Sequence, residues 1–194
     1  MSPDALHITG DAAADQVLTD SPFALLVGMM LDQQYPMEHA FRGPSKVLTR
    51  FGTLEPAAIA AADPEEFATL CSTPPAIHRY GRSMAARRRA QRRELLVESE
   101  YGGDASRIWT GVATGQELLA RVMALPGFGK QKAQIFVALL AKQLGVRPEG
   151  WERAVGAYAE DGYRSVADVT DPESLQKVRD FKKAKKAEAR TKAG

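Results

Sequence analysis

Apolar residues return every three to four positions along most of the chain, while stretches that alternate apolar and polar residues are scarce. The pattern predicts an all-α fold. Residues 11–18 read as a short amphipathic helix, and Thr19-Asp20-Ser21-Pro22 as the opening of the next. Residues 23–34 (FALLVGMMLDQQ) are nearly all apolar, as in a helix buried on most sides, so the polar end Asp32-Gln33-Gln34 stands out. Pro36 is expected to start another helix, with Met37, Ala40 and Phe41 on one face, and Gly43-Pro44 to break the chain before a helix over 45–51.

Two short helices are expected around Ala57-Ile59-Ala60 and over 64–70, the second opened by Asp63-Pro64-Glu65-Glu66, and Thr73-Pro74-Pro75 reads as a turn. Residues 83–101 form the longest helical stretch, closed by Gly102-Gly103. A helix over 115–123 runs into Leu125-Pro126-Gly127-Phe128-Gly129, and a second covers 131–144. Gly145 ends it, Pro148 is placed to occupy the first turn of another, and 175–192 is a charged helical tail. Neither a fixed-period repeat nor a strong linker divides the chain, so one domain over 1–194 is expected, with room for two small helical lobes sharing a cleft.

Composition narrows the classes. The 44% hydrophobic content suits a packed core, and the formal net charge of +2 hides acidic and basic stretches gathered in different places. The single cysteine, Cys71, excludes an intramolecular disulfide and any four-cysteine zinc or iron–sulfur site built from this chain alone, and reads as a small buried residue. No charged-then-apolar leader opens the sequence and no apolar run approaches the ~20 residues of a membrane span. A soluble, cytoplasmic protein without a membrane partner is expected.

The chemistry concentrates at the glycine turn. Gly127 and Gly129 allow positive φ and let a ligand approach the main chain without a Cβ in the way. The amides at the start of the following helix lack partners and carry the positive end of its dipole. Such a turn can hold a phosphate by its backbone donors, with Lys130 and Lys132 adding charge, or can simply reverse the chain.

At these residues the chain resembles the helix-hairpin-helix (HhH-GPD) DNA glycosylase superfamily, whose hairpin reads Leu-Pro-Gly-x-Gly followed by a helix carrying an alanine, here Ala133. Leu31-Asp32-Gln33-Gln34 is similar to the family's segment in which glutamines follow an apolar helix and meet the DNA near the target base. Tyr80-Gly81-Arg82-Ser83-Met84-Ala85 resembles the family's Tyr-x-x-(Ser/Lys)-x-Ala helix start. The likeness covers residues 23–151. Ile77-His78-Arg79-Tyr80 and Arg147-Pro148-Glu149-Gly150-Trp151 resemble an actinobacterial branch that lacks the usual lysine and aspartate.

The resemblance implies two helical lobes around a cleft, and base excision repair: a modified base is flipped out of duplex DNA and its N-glycosidic bond is cut. A carboxylate stabilises the developing positive charge on the sugar and orients the nucleophile. Members that also nick the strand carry a Schiff-base lysine two residues after the second hairpin glycine, where this chain has Gln131, so a monofunctional hydrolase without lyase activity is implied. Glu149 falls nearest the family's aspartate position, and Asp32 is its rival; each is also an ordinary helix-end charge. Gln33 and Gln34 can meet base edges or fill the gap left by a flipped base, and Tyr35 could stack on one. Trp151, Trp109 and His78 are base-pocket candidates, or core. No cofactor is implied, although the hairpin is compatible with a monovalent cation.

Basic segments complete the picture. Arg79, Arg82, Arg87, Arg88, Arg89, Arg92 and Arg93 crowd one region, most of them expected to pair with Glu94, Glu98 and Glu100. The tail, 182–194, reads as a mobile basic arm that adds DNA affinity without specificity. The alternative to an enzyme is a non-catalytic DNA-binding protein using the same hairpin; a helical protein-interaction domain is more remote.

Overall fold

Three of the six helices described in the N-terminal half start at a residue whose side chain takes up their loose amides. The computed structural model describes residues 5–79 and 101–192. Asp11 caps α1 (Ala12–Asp20) through the amides of Ala13 and Ala14. Ser21 caps α2 (Pro22–Leu31), whose first turn holds Pro22 and whose residues from Phe23 to Leu31 are all buried. The helix stops short of the predicted Gln34. Asp32 has already left helical geometry, at φ −71° and ψ 70°, and Gln34 takes a positive φ of 54° that no α-helix accommodates.

Met37, Ala40 and Phe41 are buried together on α3 (Met37–Phe41), as their spacing predicted. The expected break at Gly43-Pro44 is corrected, because both residues belong to the first turn of α4 (Gly43–Phe51), where a proline's missing N–H costs nothing. α5 (Pro56–Ala61) and α6 (Pro64–Ser72) follow, the latter capped by Asp63 on the amides of Glu65 and Glu66. The predicted 83–101 helix, the Tyr80 to Ala85 motif and the arginines from Arg82 to Arg93 lie almost wholly outside the described residues.

The C-terminal half is built on a hairpin of α7 (Gly115–Met123) and α8 (Lys130–Gln143). Pro148 does not enter the next helix; Gly150, at φ 68°, precedes it, and α9 runs Trp151–Val155. Two 3-10 turns, Gly156–Tyr158 and Val166–Asp168, lead to α10 (Pro172–Lys192). Helix dominates the described residues, whose one β-type pairing is an isolated bridge between Thr114 and Glu149. The fold is all-α.

α1 to α4 and α6 pack as one group, and α7, α8 and α9 with the two 3-10 turns as another; the short turn Ala105–Ile108 touches both. A single apolar core runs through the two groups from Leu6 to Val178. Seven residues of α8, Ala133 and the run from Phe136 to Ala141, are buried in it. Below them, Lys142 and Asp168 form an ion pair at 2.6 Å, and Asp168 also accepts from the amides of Arg164 and Ser165. None of the helices among the described residues is long and apolar enough to cross a membrane.

Glycine sets the closest helix approach. A Cβ on Gly115 would lie 2.3 Å from Cα of Trp151, a main-chain clash that only displacement of α9 could relieve. By contrast, Gly129 has φ −74° and open space where a Cβ would stand. Gly115→Ala should therefore cost about 1–3 kcal/mol in denaturant unfolding. Gly129→Ala should stay within about 1 kcal/mol of the parent, and equal midpoints for the two variants would contradict the packing described.

Candidate functional site

The turn between α7 and α8 is fixed from below and open above. Leu125 and Phe128 are buried, the Phe128 ring lying 5.8 Å from that of Phe136, and the Phe128 amide donates to the Leu125 carbonyl at 3.1 Å. Gly127 makes the reversal at φ 84°. Gly127, Gly129, Lys130 and Gln131 are all exposed. Gly129 is the N-cap of α8 and supplies no side chain to accept from it. The amides of Gly129, Lys130 and Gln131 thus donate to no acceptor among the described residues, at the positive end of a 14-residue helix. The turn can receive an anion there.

Lys132, predicted to add phosphate-binding charge, is turned inward. Its Nζ donates to the Met30 carbonyl at 3.0 Å and stands 6.0 Å from the centre of the Phe128 ring. The correction has a physical reason. The last carbonyls of α2 have no helical partner, and a half-buried ammonium one turn into α8 satisfies one of them. Lys130 alone of the two lysines keeps its charge on the open face. The tie also brings the glycine turn beside the end of α2, where the polar residues stand.

Those residues form a held loop. His78 Nε2 lies 3.1 Å from the Gln33 carbonyl oxygen, to which it donates when that nitrogen carries the proton, and its ring is 4.7 Å from that of Tyr35. Tyr35 meets His39 on another side, at 5.9 Å. His78 is 2% exposed. The segment delivering it is pinned in turn: Arg50 donates to the carbonyls of Leu70, Thr73 and Pro75, and Lys46 to that of Ala76. The Gln33 and Gln34 side chains remain exposed on this frame. Gln34 is the one non-glycine residue with positive φ among the described residues, a conformation costing about 1–2 kcal/mol for an L-residue.

Asp32 begins the loop with its carboxylate 15% exposed, and Lys182 of α10 reaches it at 3.4 Å. Lys182 also contacts the Met37 sulfur at 3.8 Å, and Arg179, one turn earlier, pairs with Glu38 at 2.5 Å. Burial acts to raise the Glu38 carboxyl, but hydrogen bonding from its own amide and from the Arg179 guanidinium outweighs burial and holds it below the usual carboxylate range. The pair's contribution to stability is therefore present at neutral pH, and is lost as pH falls through that lowered value. The charged helical tail expected over 175–192 is the end of α10, tied to the α2–α3 segment by Arg179 and by Lys182, the first residue of the expected basic arm.

The remaining candidates stand elsewhere. Glu149 pairs through its main chain with Ala113 and Gly115, at the end of α7 away from the glycine turn. Its carboxylate is exposed, without a partner among the described residues. Trp151 is buried against Gly115 in the core, and Trp109 packs edge-on to Phe136 at 5.9 Å, so neither lines an open site beside the loop. Gln131 donates to the Tyr158 hydroxyl at 2.9 Å. A cavity of about 560 Å³ lies near the other end of α2, lined by residues including Ser21, Phe23, Leu54, Glu55 and Asp104, and contains none of the predicted site residues. Among the described residues no group of three or more His, Cys, Asp or Glu is gathered to hold a metal ion.

Sequence reasoning missed Arg179, Glu38 and Arg50, and the tie from Lys182 to Asp32. Each acts on a partner at least 20 residues away in the chain, and no local pattern marks them. Comparison with family models, curated proteins and solved structures returned no match.

Lys132→Ala should lower stability by about 1–2 kcal/mol, the cost of an unpaired carbonyl and a lost charged donor. Lys130→Ala should leave the unfolding midpoint unchanged; equal losses would show that Lys132 is not a structural tie.

Proposed function

We propose that the chain is a monofunctional DNA glycosylase of the helix-hairpin-helix type, removing a modified base from duplex DNA without nicking the strand. The observation that carries this reading is the pairing of two surfaces. Unpartnered main-chain donors at the α7–α8 turn lie beside a strained, rigidly held loop presenting two glutamines. Donors of the first kind suit a phosphate, and amide side chains of the second suit base edges or a vacated stack. Strain at Gln34 supports a functional role for the loop, because the surrounding contacts of His78 and Tyr35 hold a conformation that the residue itself disfavours.

In this reading the turn grips the backbone, Gln34 enters the gap as the base swings out, and a carboxylate faces the sugar. We assign that carboxylate to Asp32, the candidate adjoining the glutamines. As the glycosidic bond breaks, its negative charge stabilises the cationic sugar and orients a water molecule toward it. The water oxygen bonds to the sugar carbon, its proton passes to the carboxylate or solvent, and the base leaves with the electron pair of the broken bond. Gln131 has no amine to form a covalent adduct, so no strand cleavage follows.

A second reading, a DNA-binding protein without catalysis, is favoured by one contact. Asp32 is already paired with Lys182, and Glu149 lies at the other end of α7.

Incubation with duplexes carrying a panel of modified bases, followed by alkali, tests both. Abasic sites are expected from at least one lesion, with no nicking before alkali and no covalent complex on borohydride treatment. Asp32→Asn should lower release by at least about 100-fold while duplex binding persists. Loss in Glu149→Gln with full activity in Asp32→Asn would move the role to Glu149, and duplex binding without release from any lesion would favour the second reading. Gly129→Val should weaken binding to all duplex sequences equally; a sequence-selective loss would contradict phosphate holding.

A further inference from the structure

α10 continues beyond its buried stretch. Leu175 and Val178 are buried, and Arg179 and Lys182 are tied to Glu38 and Asp32. At 3.6 residues per turn, Lys185 and Lys186 continue the stripe of Leu175, Val178 and Lys182. Beyond Phe181 no side chain described in the helix is buried. The inward stripe thus leaves the protein and overhangs it for ten residues, about 15 Å of helix. Residues 182–192 carry six Lys or Arg against one acidic residue, Glu188.

Lys185 sits over the Phe181 ring at 5.8 Å and makes an exposed contact with Glu188 at 3.2 Å, a pair weak enough to be exchanged. Lys186 has no partner among the described residues. The overhang starts where Lys182 meets Asp32, the residue directly before Gln33 and Gln34.

We propose that this overhang is a docked phosphate-contact helix for duplex DNA, in which Lys185 and Lys186 meet backbone phosphates of the strand passing the glutamine loop. The proposal rests on the DNA-binding reading above and adds a second backbone contact set, separate from the glycine turn. Charge selects the occupant. Duplex DNA presents one negative charge per ~1.7 Å of axis, and an exposed basic helix end of about 15 Å, anchored at its base, complements it. Anchoring distinguishes the device from a free basic tail: the helix carrying the lysines is tied at its base to Glu38 and Asp32, so the ties made by Arg179 and Lys182 matter to binding.

The test is binding of undamaged duplex by fluorescence anisotropy between 50 and 200 mM salt, using the full chain. Lys185→Gln with Lys186→Gln should make the slope of log affinity against log salt shallower by about 1.8, two phosphates at about 0.9 each. Lys177→Gln, in a residue already paired with Glu173 and Tyr163, should leave it unchanged. Glu38→Gln, which frees Arg179, should reproduce part of the lysine effect although every lysine remains.

An unchanged slope in the double variant, while Gly129→Val still weakens binding, overturns this proposal and leaves the turn-based reading standing. Failure of the parent chain to bind duplex at low salt removes both. A full slope in Glu38→Gln shows that the Arg179 tie does not set how the lysines meet the duplex, and overturns the docked-helix proposal. Competition by poly-glutamate as effective as by duplex DNA points to an acidic protein partner and overturns the proposal as well.

Discussion

The burial of α8 governs the arrangement of everything around it. From Phe136 to Ala141 the helix is enclosed on all sides, so it cannot slide or roll without opening the core. Its first turn projects beyond that core, and the glycines before it carry no side chain to cap it. The same packing that fixes the helix therefore fixes a set of unpartnered amides at the surface. A loosely held helix end would find an acceptor by shifting; this one is held where it is.

Polar ties then assemble the surroundings. Lys132 uses its charge to complete the end of α2, which brings the glycine turn and the Asp32 to Tyr35 loop side by side. His78 and Tyr35 hold that loop in a shape that costs Gln34 backbone strain. Arg50 and Lys46 hold the segment that delivers His78. In each case a cation or imidazole meets a main-chain carbonyl at a helix end or in the loop that follows one, an efficient use of groups that would otherwise be expensive to desolvate. α10 adds a third element through Arg179 and Lys182.

Two demands meet at Asp32. As a helix-end carboxylate against an apolar helix it needs a counter-charge, which Lys182 supplies. As a catalytic group it would need to face a sugar cation instead. The two are reconcilable, because Lys182 is 41% exposed and the contact, at 3.4 Å, is not a close bidentate clamp.

Local physics was legible in the sequence. Caps at Asp11, Ser21 and Asp63, prolines in first turns, and the spacing of Met37, Ala40 and Phe41 located helices within a few residues, because capping and periodicity act over one turn. The end of α2 and the role of Gly43-Pro44 were misread, since a three-residue bend or a proline in a first turn depends on what the next helix packs against. The glycine turn was legible as a set of exposed donors. What only the tertiary structure decided is which charged groups remain at its side: Lys132 left the open face for a carbonyl 102 positions away, Lys182 arrived from 150 positions away, and Glu149 fell at the other end of α7. Ionic and hydrogen-bond partners form across space, and spacing along the chain carries no record of them.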